Sequence, residues 1–585
     1  MIRRSLVSEI NYGDGRLPSF TEMTVRMTPQ DPQIAADSDQ TGLDAGSSNL
    51  LNDRIISLEN RVSQLADENR RLKLQWQEAT GSISWKLINK LNKTVRFIAP
   101  HGSWRRSMLK GTWRGLISAR RHGPIAWARR TAAQLKSKAI QFKRQYIASK
   151  KPFVHDDRPL VLAISHIGGG GTERHVRDMA NRLLAEGVRT IYTRPDQHGR
   201  LIFEERDSNW KVHWRRSIQP DSPKIMALLN DIKPSLAHVH HTMDVPERLF
   251  QSLQSISIPI DWTLHDYHSV CPRIHLHTQS GRYCGEPDEH GCQSCLKRQG
   301  DYHGRQISFG IRDYRNQWSD RLVNARRIYV PSHDIKNRLN RYFPSLSIDV
   351  RPHMEPSRPD RLLAKQWLPG DPVRVAVIGT IGSIKGSSML LNAARDAAER
   401  SLPIEFVLVG TSSLEPQLIA TGRVELTGAY HENEIWDRLS DSGCHLAWLP
   451  SIWPETYMYT LSVAQLAGLW PVVYDIGAQA DRVREARAGD VTSLDSSPEN
   501  INNLFLKRAA QLAELPAINP PEYAEYPSFL TDYYGLTRNQ LKSLAHNITR
   551  VTETENQVSG QQATSPHASR SDHARLHQHH SQLSA

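Results

Sequence analysis

The sequence predicts an α/β protein in which two doubly wound domains face a cleft. Three observations carry that expectation. Apolar, strand-like runs alternate with helix-like segments twice over, first from Leu160 and again from Arg374. Strands separated by helices form parallel sheets. A proline-rich join, with Pro352, Pro356, Pro359, Pro369 and Pro372, divides the two sets. At 585 residues the chain is also too long for a single core.

In the first set, strands are expected at 160–165, 190–193, 236–240 and 258–264, with 328–332 as the last, and a helix at 172–185. In the second, strands are expected at 374–379, 406–410, 445–449 and 471–474. The domains are therefore drawn at 155–355, with a cysteine-rich insertion at 265–300, and at 356–545. Residues 1–46 lack periodicity and read as disordered. So does the Gln-, Ser- and His-rich tail, 546–585, whose histidines are given no role.

Residues 47–78 carry heptads. Leu51, Leu58, Leu65 and Leu72 fall at d, and Ile55, Val62, Asn69 and Trp76 at a. Leucine at d with one asparagine at a favours a parallel coiled-coil dimer in one register, so residues 51–76 are expected to pair two copies or dock a partner. The competing reading is a lone amphipathic helix packed on the body.

The net charge of +13 is concentrated in one segment. From Ala79 to His155 there is no Asp or Glu, against 18 Lys and Arg, so the rest of the chain is slightly acidic. Trp85, Phe97, Trp104, Trp113, Trp127, Phe142 and Tyr146 interleave with those cations. Segment 79–154 thus suits an acidic membrane surface, where tryptophan sits at headgroup depth. A solvated basic linker and a nucleic-acid-binding segment are the alternatives, nucleic acid being the less favoured partner. No run approaches about 18 uninterrupted apolar residues, and no apolar stretch follows Arg3-Arg4. Four of the five cysteines are clustered, which suits a reducing compartment better than a disulfide scaffold. The expected location is the cytoplasm, peripherally on the inner face of the membrane.

Three motifs bear on chemistry. The run Leu160-Val161-Leu162-Ala163-Ile164 ends in Gly168-Gly169-Gly170-Gly171, and Thr172-Glu173-Arg174-His175-Val176 begins a helix. Such a loop lets main-chain amides approach an anion, and the free amides of the helix start favour phosphate. The third spaced glycine of a dehydrogenase fingerprint is missing, since Glu173 or Arg174 stands there, and so is the Gly-Lys-Ser/Thr ending of a P-loop. A tight structural turn is the bland alternative. In the second domain, Gly379-Thr380-Ile381-Gly382-Ser383-Ile384-Lys385-Gly386 again joins strand to helix and adds an ammonium suited to a diphosphate. Third, in Trp453-Pro454-Glu455-Thr456-Tyr457, Glu455 is placed to accept from a sugar hydroxyl, or else to cap the following helix. Two anion-friendly loops, one per domain, fit a ligand between the carboxyl edges of two sheets.

Together these pieces resemble the family-4 retaining glycosyltransferases of the GT-B fold, with its two Rossmann-like domains. The resemblance is to bacterial members that build surface polysaccharides such as O-antigen, and it covers roughly 155–545. Gly168 to Val176 resembles that family's first-domain loop, and Gly379 to Gly386 its Gly-Arg-Leu…Lys-Gly segment. Trp453 to Thr456 followed by Tyr459-Thr460-Leu461-Ser462 resembles its Glu-x7-Glu motif. Thr263-Leu264-His265-Asp266-Tyr267 resembles a segment at the donor sugar, and Ser84-Trp85-Lys86-Leu87 a segment that precedes the catalytic body. The resemblance implies sugar transfer from a nucleotide-diphosphate sugar to a glycan or lipid-linked hydroxyl, with retention of configuration. It implies Glu455 and His265 as catalytic residues. It implies Gly169, Gly170, Gly171, Thr172, Gly379, Lys385, Thr456 and Tyr457 as donor-binding residues, with no cofactor required.

Two positions depart from the family pattern. Thr380 replaces its arginine, and Val463 stands at its second glutamate. Valine cannot accept a ribose hydrogen bond, a loss of about 1–3 kcal/mol unless another group substitutes. Gln465 lies two residues on and faces elsewhere on a helix. A degenerate transferase acting as a scaffold is the reading these departures favour. Cys271, Cys284, Cys292 and Cys295, spaced C-x12-C-x7-C-x2-C, form a candidate structural zinc set, with reduced thiols or a disulfide pair as the alternatives.

Overall fold

The computed structural model describes residues 143–544, apart from 168, 279–280, 357–358 and 513–524. The coiled coil expected at 47–78, most of the basic segment and the tail 546–585 lie outside the described residues. Among the described residues no helix is long and apolar enough to cross a membrane.

Two sheets form the body. The first contains β1 (Leu160–Ile164), β2 (Arg189–Pro195), β3 (Leu201–Arg206), β4 (Val212–Ile218), β5 (Leu236–Val239), β6 (Ile260–Thr263), β7 (Arg327–Val330) and β8 (Asp349–Val350). The second contains β9 (Val373–Ile381), β10 (Ile404–Ser412), β11 (Val424–Leu426), β12 (Leu446–Leu449), β13 (Trp470–Tyr474) and β14 (Asp490–Thr492). The spatial orders are β4-β3-β2-β1-β5-β6-β7-β8 and β11-β10-β9-β12-β13-β14. The second sheet is parallel throughout. Both orders reverse direction beside their first strand, at β1/β5 and at β9/β12. These switch points open crevices at the carboxyl ends of the strands. The expected α/β class, with two doubly wound sheets and helices between strands, is the observed one.

The first sheet is not wholly parallel. β2, β3 and β4 form an antiparallel meander that the sequence reading passes over. Its strands hide among charges because the charges pair with one another. Glu204 is fully buried and accepts from Arg206 Nε (3.2 Å) and Arg215 Nη1 (2.5 Å). β8, after the strand expected to be last, is a further difference.

Arg189 meets Glu205 with a two-pronged contact, Nε to Oε1 at 2.7 Å and Nη2 to Oε2 at 2.8 Å. Burial alone would push the Glu205 carboxyl up, but Arg189 and His213 outweigh it and hold the pKa at about 2. The folded pKa lies below the ordinary 4.5. The pair therefore stabilises fully above that value, and its contribution is lost as pH falls through the folded pKa. Glu205→Gln is expected to cost about 3 kcal/mol at pH 7, because it strands a buried guanidinium. Urea unfolding at a series of pH values should show the deficit shrinking below pH 4.5; a deficit constant down to pH 2 contradicts this account.

Each sheet is covered on both faces. Val161, Ala163, Val176, Met179 and Leu183 pack with Tyr526, Phe529, Leu530, Tyr533, Tyr534 and Leu541. This corrects the expected 356–545 assignment, because the chain returns from the second sheet to the first lobe near its end. Each buried aromatic contributes roughly 1.5–3 kcal/mol, enough to hold so short a segment. The return is also tied polarly. The Glu186 carboxylate accepts from the amides of Phe529 and Leu530, and Tyr534 Oη contacts His238 Nδ1 at 2.7 Å.

Candidate active site

Between the lobes lies a cleft of about 1160 Å³. Its first wall begins at the β1/β5 switch point. The helix Gly170–Ala185 starts there with no side chain capping its amides, and Gly169, Gly170, Gly171 and Thr172 line the cleft. Arg174, Arg177, Asp178, Asn181 and Arg182 line it too. Their spacing of three to four residues puts them on one helical face. Arg174 stands in the glycine-loop motif, and the helical period from Arg174 to Arg182 is the signal in the sequence for this face.

The opposite wall begins at the β9/β12 switch point. Gly379 and Thr380 come from the end of β9, Ile384 and Lys385 from the loop after it, and Trp453, Glu455, Thr456 and Tyr457 from the loop after β12. Gly170 and Lys385, far apart in the chain, therefore face one cavity.

Glu455 is nearly buried. Its Oε1 accepts from Ser451 Oγ (2.6 Å) and Trp453 Nε1 (2.9 Å), and Lys385 Nζ stands 3.9 Å away. Its main chain is held by Gln479, whose Oε1 accepts from Glu455 N (3.2 Å), and by Ala478 N, which donates to Glu455 O (2.8 Å). The next helix starts only at Tyr459, with Met458 at its cap, so Glu455 does not cap it.

Thr456 and Tyr457 reach the cleft, but their hydroxyls already serve the protein. Thr456 Oγ1 donates to His265 O (2.6 Å), and Tyr457 Oη to His353 O (3.0 Å) and to the Glu355 carboxylate. Arg482 holds Glu355 at 3.0 Å and donates to Tyr457 O and Met458 O. The expected donor-binding pair thus staples second-lobe loop to first-lobe carbonyls. Glu355 and Arg482, which the sequence reading did not single out, complete that staple.

His265 lines the cleft, but its ring is engaged by other imidazoles. His240 Nδ1 lies 3.1 Å from its Nε2, and His353 Nε2 lies 3.3 Å from its Nδ1. Burial drives its pKa well below the ordinary value, so the ring is neutral. Beside it, burial raises the Asp266 carboxyl, but His241 (3.0 Å) and His268 outweigh burial and keep it ionised.

Thr380 and Val463, the departures from the family pattern, both line the cleft. Gln465 is fully buried, so it does not stand in for a glutamate at Val463.

The thiols of Cys284, Cys292 and Cys295 lie near enough to Cys271 to add to burial in raising its pKa above the ordinary value. All four are free. Cys292 Sγ accepts from Arg315 Nη2 at 3.4 Å, and Cys295 Sγ from Gln299 Nε2 at 3.4 Å. Among the described residues, the His, Cys, Asp or Glu trio whose ligand atoms all fall within 4.8 Å of one another is His175, His240 and His265.

Residues 169–353 match the model of Glycosyltransferase Family 4. The match spans the first wall of the cleft and the histidines behind it. No curated protein matches the chain. Among solved structures, the chain is similar to a sucrose-phosphate synthase from Thermosynechococcus elongatus, at TM-score 0.44 and 15% identity over 69% of this chain and 100% of that one. It is similar to HepE from Anabaena in complex with UDP, at TM-score 0.40 and 12% identity over 69% and 100%. The catalytic domain of starch synthase IV from Arabidopsis thaliana, bound to ADP and acarbose, aligns at TM-score 0.41 and 14% identity over 66% and 99%.

Proposed function

We propose that the chain is a glycosyltransferase that moves a sugar from a nucleotide-diphosphate sugar to a hydroxyl of a surface polysaccharide or lipid-linked glycan, with retention of configuration. The observation that carries this reading is the convergence, in one cleft, of uncapped helix amides from the first lobe with Lys385 and Glu455 from the second. The family match over 169–353 supports it.

In this reading the amides of Gly170 and Gly171 and the Lys385 ammonium hold the diphosphate, and Glu455 accepts from a donor-sugar hydroxyl. The anomeric C–O bond to the diphosphate breaks as the acceptor oxygen bonds to the same face of the sugar. The acceptor proton passes to the departing diphosphate oxygen. Amides and ammonium stabilise the negative charge that builds there. Closing the lobes would exclude water, the competing nucleophile. His265 contributes through its carbonyl, which fixes Thr456 beside Glu455.

The purified chain, offered a panel of nucleotide sugars, should release nucleoside diphosphate. Glu455→Gln is expected to lower that turnover by about 10²-fold. Unchanged turnover would remove Glu455 from the site.

Val463 and Thr380 in the cleft favour a second reading, a degenerate transferase kept as a scaffold. Titration with UDP, ADP and GDP separates the two: binding favours the enzyme, and heat-silent titrations with all three favour the scaffold. Peripheral attachment to acidic lipid through 79–154 and pairing through 51–76 are further parts of the proposal, resting on sequence.

A further inference from the structure

Five histidines crowd behind the floor of the cleft. His240 follows β5, His265 follows β6, His353 follows β8, and His175 comes from the helix after β1; His238 lies within β5. Strand ends at one sheet edge therefore bring together residues far apart in the chain. His175, His240 and His265 are buried, at 1%, 2% and 8% exposure. The His175 ring centroid lies 5.5 Å from that of His240 and 5.1 Å from that of His265.

The cluster is incompletely satisfied by the protein. His175 Nδ1 and His240 Nε2 are buried without a hydrogen-bond partner. His265 meets its neighbours only through contacts between ring nitrogens, each of which needs one shared proton. Leaving a buried nitrogen unsatisfied is costly, so a cluster of this kind calls for a partner.

We propose that His175, His240 and His265 bind one borderline transition-metal ion, with Zn²⁺ as the physiological occupant. Their ligand atoms lie within 4.8 Å of one another. Closing on an ion at a Zn–N distance of about 2.0–2.1 Å needs side-chain shifts on the order of an ångström. An all-imidazole set excludes Mg²⁺ and Ca²⁺, which take oxygen ligands. Ligation requires neutral rings, the form that burial favours for an imidazole. Tyr533 Oη, 3.4 Å from His175 Nε2, is placed to orient that ring from behind. The ion would sit where the returning C-terminal segment, the first sheet and the Thr456 staple meet, and would tie them together.

The inference is independent of the proposed transfer reaction, and its test reads metal rather than turnover. The full-length chain is stripped with chelator, reloaded with Zn²⁺ or Co²⁺ alone, desalted and assayed for metal. His175→Gln, His240→Gln, Cys292→Ser/Cys295→Ser and a tail variant with His577, His579 and His580 changed to alanine are treated alike, and folding is checked by circular dichroism. The native chain should retain about one equivalent, with Co²⁺ ligand-field absorption and no thiolate charge-transfer band. Zn²⁺ should raise its Tm. The cysteine and tail variants should keep that equivalent, and the two histidine variants should lose it along with the Tm gain. Failure of the native chain to hold either metal overturns the proposal without reference to any variant. Metal kept by both histidine variants, or lost on changing the cysteines or the tail, overturns it as well.

Discussion

Lys385→Ala is expected to lower kcat/KM for the nucleotide-sugar donor by about 10²–10³-fold, and to weaken binding of the free nucleoside diphosphate. The size of the effect follows from how the cleft's other cations are engaged. Arg177 is paired with Glu432, and Arg174 lies over the Tyr459 ring at 4.4 Å with Asp178 at 3.5 Å. Arg482 is spent on Glu355 and two carbonyls. Lys385 has only a 3.9 Å contact with Glu455, and its side chain is 45% exposed. Among the described residues that line the cleft, Lys385 is the cation that the second lobe supplies, and its charge is little committed to the protein. On the proposed reading, Thr380 stands where the resembled family has an arginine and leaves Lys385 more of a diphosphate to neutralise. Lys385→Arg should recover part of the loss, since charge is kept while the point-like ammonium is replaced by a broad fork. Calorimetric titration of UDP or ADP into Lys385→Ala is the direct measurement. Affinity equal to that of the native chain would remove Lys385 from the diphosphate site.

What could be read in the sequence was what is local. The glycine loop before His175, the Lys385 loop and the Glu455 loop are each a strand, a turn and a helix in succession, so their positions at sheet edges follow from strand alternation and turn residues. Their convergence followed from the topology of doubly wound sheets. The contacts between lobes were not legible. Thr456 meets the His265 carbonyl and Tyr457 the His353 carbonyl across more than a hundred residues of chain, and nothing in the composition of either loop announces it. The β3–β4 hairpin was hidden because Glu204, Glu205, Arg206 and Arg215 look like solvent-facing residues until their partners are known. The histidine cluster was invisible for a similar reason. His175 and His353 stand apart from other histidines in the sequence and His240 sits in a His-Val-His-His run that reads as the end of a strand, so only the shared sheet edge gathers them.

Gly477→Ala should disable the site from behind while leaving the fold standing. Gly477 has φ 68°, and a Cβ there would lie 2.6 Å from both Glu455 N and Pro454 Cα and 2.7 Å from Gln479 Oε1. Left-handed backbone costs a non-glycine residue roughly 1–2 kcal/mol, within the margin of most domains. The clash is the larger matter, because the two nearest atoms it meets are main chain and cannot swing aside. Relief requires the Glu455 loop to move away from the helix that positions it, breaking the Gln479 contact to Glu455 N. A displacement near 1 Å at a catalytic centre costs on the order of 10²-fold. Turnover is therefore expected to fall about 10²-fold, with a Tm only moderately reduced. Gly468→Ala is the matched control. Its φ is 79°, so it bears similar backbone strain, but its Cβ would meet only the Leu362 side chain, whose Cδ2 is 3.0 Å away. Leu362 is more than half exposed and free to turn. Gly468→Ala should lose comparable stability and keep its turnover. If the two variants lose activity in parallel, strain in the second lobe at large is responsible, and the coupling of Gly477 to Glu455 is refuted.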